Sequence, residues 1–288
     1  MGKGQKMYGK RGVSRHLFLI LHLSSDYYLL SMEKQTLPKV GHYEMMAEPF
    51  HCDFSGRLMM GHLGNALLNA ADFHSNDRGF GMNYLNTIHR TWVLSRLAIE
   101  LEEMPRAYDP FYVETWCESA MKYFTSRNYK IASPDGRIYG YGRSIWAMID
   151  TELRKPADIL AIHDGRIEEY VDDQTPCPIA APSRVRIADG QEEDWLIHTH
   201  YSDIDINGHV NSVKYIDHVL DLWDIGWYET HRLRRIDVAY VAEGHLGDRL
   251  HLYRQALDND GKRFAVRICK LSSDGVEKEV CRCELLFE

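Results

Sequence analysis

The sequence predicts an α+β protein written as two copies of one unit, and two observations carry that prediction. Gly208-His209-Val210 repeats Gly61-His62-Leu63 at an offset of 147 residues, and an apolar stripe at helical spacing follows each copy. Farther along, Ser272-Ser273-Asp274-Gly275 echoes Ser133-Pro134-Asp135-Gly136 at an offset of 139. Both Asp-Gly pairs sit between β-rich runs, as hairpin turns do. Each copy therefore reads as a strand, a long helix and several antiparallel strands. The chain of 288 residues has room for two such units of ordinary domain size.

Taken in order, residues 1–39 read as an N-terminal extension. Lys3, Lys6, Lys10, Arg11 and Arg15 precede the apolar run Leu17-Phe18-Leu19-Ile20-Leu21, which is too short to span a bilayer. A basic segment before a short apolar one is shared with secretory signals, but Ser24-Ser25-Asp26-Tyr27-Tyr28 is a poor cleavage site. An organellar transit peptide is the other targeting option. The preferred reading is that Met32 is the natural start and residues 1–31 are an unfolded or artefactual extension. Residues 40–172 form the first copy, with a helical stripe of Leu63, Ala66, Leu67 and Ala70 and hairpin strands near 123–131 and 138–149. A linker is expected over 173–195, where Pro176, Pro178 and Pro182 precede Glu192-Glu193-Asp194. The second copy occupies 196–288, with a stripe of Val210, Val213, Ile216, Leu220 and Trp223 and strands near 264–271 and 280–287.

Composition narrows the function classes. Net charge is −8 and the isoelectric point is about 6.0, which disfavours bulk binding to nucleic acid or to anionic membranes. Six cysteines lack any Cys-x-x-Cys spacing, so reduced thiols are expected and a structural zinc site is not. Fifteen histidines include only His198-x-His200 as a close pair, which reads as strand alternation. No metal and no cofactor is expected.

Chemistry concentrates in Asp205-Ile206-Asn207-Gly208-His209, which gathers a carboxylate, an amide and an imidazole at the mouth of the second helix. Such a helix start is where a reacting carbonyl can meet hydrogen-bond donors and a general base. Asn207 is the expected N-cap. Taken alone, Asp205 and Asn207 are also ordinary turn and cap residues, and His209 is equally a buried helix histidine. The first copy sharpens the choice. At the 147-residue offset Leu58 stands for Asp205 and Met60 for Asn207, while His62 is kept. Chemistry is thus expected in the second copy, with Leu58 and Met60 as an apolar substrate wall in the first.

Asp-x-Asn-x-His-Val-Asn-x-x-Lys-Tyr-Ile, carried here by Asp205, Asn207, His209, Val210, Asn211, Lys214, Tyr215 and Ile216, resembles the signature of the plant-type acyl-ACP thioesterases and their bacterial members. Trp92-Val93-Leu94-Ser95-Arg96 is similar to a second segment of that family, and the likeness runs over about residues 40–288. The resemblance implies a tandem double hot-dog fold, each copy an antiparallel sheet wrapped around a central helix. It also implies hydrolysis of the fatty acyl thioester of acyl carrier protein.

A fourth site residue follows from the resemblance, Glu243. Plant members commonly carry a cysteine next to it, where this chain has Gly244, so an Asp205, Asn207, His209 and Glu243 site remains without a cysteine nucleophile. Whether water or a carboxylate attacks first stays open. Trp92 and Arg96, the latter placed opposite Glu243 by the repeat offset, are candidate substrate contacts. Lys214, Arg232, Arg234 and Arg235 are candidates for docking the acidic carrier protein through its phosphopantetheine-linked acyl chain. No stable membrane insertion is expected, and the assembly is a monomer or homodimer. A bacterial source places the protein in the cytoplasm, and a transit peptide would place it in a plastid. The rival readings are an acyl-CoA thioesterase, a hot-dog hydratase and a non-catalytic acyl-binding protein. The hydratase motif spaces aspartate and histidine by four residues, against three between Asp205 and His209.

Overall fold

The computed structural model describes residues 37–188, 194–271 and 275–288. The expected extension over residues 1–31 and the turn residues 272–274 lie outside the described residues. In the first half, β1 (Gly41–Met46) leads to the long helix α1 (Met60–Asp77) and the short α2 (Met82–Leu85). Strands β2 (Arg90–Leu101), β3 (Pro110–Ala120), β4 (Phe124–Ala132) and β5 (Ile138–Asp150) follow, with a two-residue β6 (Lys155–Pro156) on the end of β5. The second half repeats this order: β7 (Trp195–His198), α3 (Ser212–Leu220), α4 (Ile225–Thr230), β8 (Leu233–Tyr240), β9 (Arg249–Ala256), β10 (Arg263–Leu271) and β11 (Glu277–Phe287).

Strand order makes the repeat exact in topology. The first half runs β1-β3-β4-β5-β2 and the second, read from its own edge, β7-β9-β10-β11-β8. The copies join where β2 pairs antiparallel with β8, from Arg96 opposite Ala239 to Glu100 opposite Arg235. One eleven-stranded sheet results, wrapped around the helices as a tandem hot-dog. Residues 38–288 form a single compact unit. The Asp135-Gly136 turn joins β4 to β5, with Gly136 at φ +90° as such turns require.

The two long helices meet at glycines. A Cβ on Gly61 would collide with the Asp217 carboxylate, and one on Gly64 would stand 3.0 Å from Val213 Cγ1. Their absence lets α1 and α3 pack closely. A single core takes Leu63 and Leu67 from α1, Val213, Ile216 and Val219 from α3, and Leu97, Ile99, Ile236 and Val238 from the central strands. Of the expected linker, residues 173–188 have no regular secondary structure, and β7 already begins at its last residue, Trp195. Residues 173–188 are pinned across the sheet by hydrogen bonds from Arg143 to the Cys177 carbonyl (2.8 Å) and from the Ser183 amide to Asp237 (2.7 Å).

Candidate active site

The motif loop is a backbone device before it is a chemical one. Ile204 and Val210 bridge antiparallel, and Gly208 turns the chain at φ +80°. Within the loop, Asp205 Oδ1 accepts from the amides of Asn207 (2.8 Å) and His209 (3.2 Å). The N-cap of α3 is Asn211, whose side chain accepts from Val213 N at 3.0 Å. This corrects the expectation for Asn207, which is exposed in the turn one step earlier because Gly208 delays the helix start. Lys214 N is also committed, to the Asn211 carbonyl. The Asn207 side-chain amide makes no hydrogen bond among the described residues, so it is the uncommitted donor of the motif.

Glu243 reaches this loop from just beyond the end of β8. The Val210 amide donates to the Gly244 carbonyl at 2.8 Å, clamping the two segments together. Gly244 is buried, and a Cβ there would collide with Tyr215 Oη and lie 3.0 Å from Val210 Cγ2. A cysteine has no room at that position without displacing the buried Tyr215 ring. His209 Nε2 lies 3.5 Å from Glu243 Oε2, and the His245 ring stands edge-on to His209 with centroids 5.1 Å apart.

Arg154, from the first half, donates to both Glu243 oxygens at 2.8 and 2.7 Å. Its position is built by Asp150, which accepts from the amides of Glu152 (3.0 Å) and Leu153 (2.8 Å) to close the turn after β5. Arg154 itself adopts a left-handed φ of 54°, a strain of roughly 1 kcal/mol for a residue with a Cβ. Burial by itself would raise the Glu243 carboxyl. The Arg154 hydrogen bond and the His209 and Arg154 charges outweigh it, so Glu243 sits below its ordinary range. The site is therefore completed across the two halves.

A cavity of about 830 Å³ opens here, bordered at the mouth by Asp205, Asn207, His209, Glu243 and Arg154. It runs between α1 and the first-half strands, past Leu68, Ala71, Leu94 and Trp146, to Thr125 and Arg127 on β4. From β8 to β4 is three strand spacings, or about 14 Å across the sheet. A lesser core of Phe80, Leu85, Met148, Ile159 and Ile167 packs alongside, and Phe80 and Ile167 of that core also line the cavity.

The two halves match the N-terminal domain model of acyl-ACP thioesterases over residues 41–164 and the C-terminal domain model over 187–286. A crystal structure of an acyl-ACP thioesterase from Bacteroides thetaiotaomicron is 49% identical, covers 87% of this chain and 98% of that one, and superposes with a TM-score of 0.80. This chain belongs to the acyl-ACP thioesterase family. The 12:0-ACP thioesterase of Umbellularia californica shares the fold at 17% identity, a TM-score of 0.75 and coverage of 88% of this chain and 98% of that one. Oleoyl-acyl carrier protein thioesterase 2 of Arabidopsis thaliana, a chloroplastic protein, is 27% identical over 198 residues, 63% of this chain and 53% of that protein. The chain spans about half the length of the curated relatives it matches.

Among the site residues expected for this member of the family, Asp205, Asn207, His209, Glu243 and Trp92 all border the cavity. Leu58 and Met60 do not. They are 4% and 5% exposed in the shared core, Leu58 bridged to Cys52 ahead of α1 and Met60 at the first position of that helix. Arg96 is also absent from the cavity: it pairs with Ala239 in the central ladder. The 147-residue offset holds at the helices but shortens to 139 at the hairpins, so it misplaces β2, and Arg154 takes the role beside Glu243.

Arg232, Arg234 and Arg235 stand at the opposite end of the eight-residue β8, about 25 Å of strand from Glu243. Each is already ion-paired, Arg232 to Glu288, Arg234 to Glu102 and Arg235 to Asp237 and Glu100. Lys214 is engaged with Asp217 at 3.2 Å. Sequence reasoning missed Arg154 and His245. With His209 and Glu243, His245 places three potential ligand atoms within 4.8 Å of one another. Among the described residues no helix is long and apolar enough to cross a membrane.

Proposed function

We propose that this chain hydrolyses the thioester joining a fatty acyl group to the phosphopantetheine arm of acyl carrier protein. The observation that carries this reading is the His209–Glu243–Arg154 cluster at the mouth of a cavity running through the first half. The acyl chain lies in the cavity and the thioester carbon at the mouth. Each methylene withdrawn from water contributes about 0.8 kcal/mol, so cavity depth sets the preferred length within a range of neighbours.

Water is the attacking group in this reading. Both Glu243 oxygens are occupied by Arg154, which blunts their direct attack, and the carboxylate instead orients His209. His209 takes a proton from water as its oxygen attacks the carbonyl carbon. The oxyanion is met by the Asn207 amide. When the intermediate collapses the C–S bond breaks, and the proton held by His209 goes to the departing sulfur. Asp205 acts by holding the loop through its two backbone bonds.

A monomer suffices for this chemistry, since both halves of the site come from one chain. The reading places the protein with its carrier-protein substrate, in a bacterial cytoplasm or a plastid. The test is thiol release from acyl-ACP and acyl-CoA over a series of chain lengths. Release from acyl-ACP lost in Glu243→Ala and His209→Ala supports the proposal. Release only from acyl-CoA replaces the carrier protein as partner, and no release from either removes the hydrolase reading in favour of an acyl-binding one.

A further inference from the structure

The far end of the cavity is charged, although an alkyl chain needs nothing of the kind. Arg127 on β4 and Arg78 just after α1 both line it and are 8% and 5% exposed. Among the described residues neither makes an ion pair. Within the described residues Arg127 donates to the hydroxyls of Thr115 and Ser75, each at 3.2 Å. Arg78 donates to the carbonyls of His74 (2.7 Å) and Pro38, and its buried Nε has no partner. Burying a guanidinium without a counter-charge is costly, so the site has unused capacity for an anion.

Neighbouring groups leave that positive excess in place. His74, buried beside the two arginines, is pushed down to about 3 by burial and by their charges, so it is neutral. Asp72 also lines the cavity, but it makes no ion pair with Arg127, and burial raises its carboxyl despite that charge. Asp77 acts on Arg78 from outside the cavity lining, and the Arg78 guanidinium lies 5.5 Å over the Tyr170 ring, so Asp72 is the carboxyl that shares the lining with the two guanidiniums. An all-methylene chain reaching this end would strip water from both cations and return nothing to them.

We propose that the cavity floor is a subsite for a carboxylate at the distal end of the acyl chain, with Arg127 and Arg78 as its specificity-determining residues. This rests on the thioesterase reading and names its substrate class: thioesters of chains oxidised at the far end. A planar carboxylate matches the fork of a guanidinium. An ω-hydroxyl would gain part of the same interaction, and a methyl none.

The experiment compares pantetheine thioesters of one chain length ending in methyl, hydroxyl or carboxylate. The wild type should show a KM for the carboxylate-ended chain about tenfold or more below that of the methyl-ended one, with similar kcat. Arg127→Met should abolish the difference by raising KM for the carboxylate-ended chain alone, and Arg127→Lys should restore part of it. Thermal stabilisation by free α,ω-diacids against plain fatty acids reads the subsite without turnover. Diacid stabilisation with no hydrolysis of any thioester would remove the hydrolase reading and keep the subsite. A wild-type preference for the methyl-ended chain, or one unchanged in Arg127→Met, would overturn the proposal.

Discussion

The two halves share one topology and divide the work. Helix α1 runs for eighteen residues and α3 for nine. Between α1 and its sheet lies the cavity, bordered by half-buried residues such as Leu68 and Trp146. Between α3 and its sheet, Val213, Ile216, Val266, Ile268 and Val280 are each 2% exposed or less. Even the helix starts differ: α3 is capped by Asn211, whereas Met59 gives α1 no side-chain cap. Duplication has left a cavity beside the helix of the first half, and a shared core and a continuous sheet tie that half to the filled one. The motif loop sits on the filled half, where backbone clamps such as Val210 to Gly244 hold it.

The sharpest break in this comparison is chemical. Glu243→Ala or His209→Ala should lower kcat by roughly 10²–10⁴-fold with an unchanged thermal melt. The matching change at His62 of the first half, His62→Ala, should leave kcat near wild type. Arg154→Met probes the contact across the halves. Glu243 is held low in the folded protein by Arg154, and its anion is lost as pH falls through that lowered value. Removing the arginine raises the value, so the acid limb of the kcat/KM profile should move to higher pH. An unmoved limb would take Glu243 out of the ionisation that activity needs.

Packing comes next. Ile268→Ala in the filled half should cost about 2–5 kcal/mol in denaturant unfolding. Leu68→Ala at the cavity wall should cost markedly less and shift the preferred chain length instead. Gly244→Ala should cost about 1–3 kcal/mol through overpacking against Tyr215 and Val210, with turnover falling as the loop shifts. The smallest effects lie at the helix starts. Asn211→Ala should cost about 1 kcal/mol, and Met59→Ser, at a backbone already in N-cap geometry, should gain up to that much in thermal stability.

How much was legible varies with the range of the interaction. The stripe from Val210 to Trp223 announced α3, and Asp135-Gly136 announced the β4–β5 hairpin. In both cases the signal lies within fourteen residues. Asn207 was misread as the cap because Asn207 and Asn211 both suit that role, and only the backbone path after Gly208 separates them. Leu58 and Met60 had the right polarity for a substrate wall, yet polarity does not say which apolar surface a side chain meets. Arg154 was out of reach. It lies 89 residues from Glu243, in a turn whose sequence shows no motif.

By itself, then, the sequence determined the elements, their duplication and the polar set Asp205, Asn207 and His209, and the family resemblance added Glu243. Helical and strand periodicity are local, and the motif is contiguous but for one residue. Only the tertiary structure decided that Arg154 from the other half meets Glu243, that a cavity opens beside α1 and that Arg127 and Arg78 line it. Those outcomes depend on strand register and on the distance between helix and sheet. Both are set by residues far apart in the chain, where no local pattern carries the information.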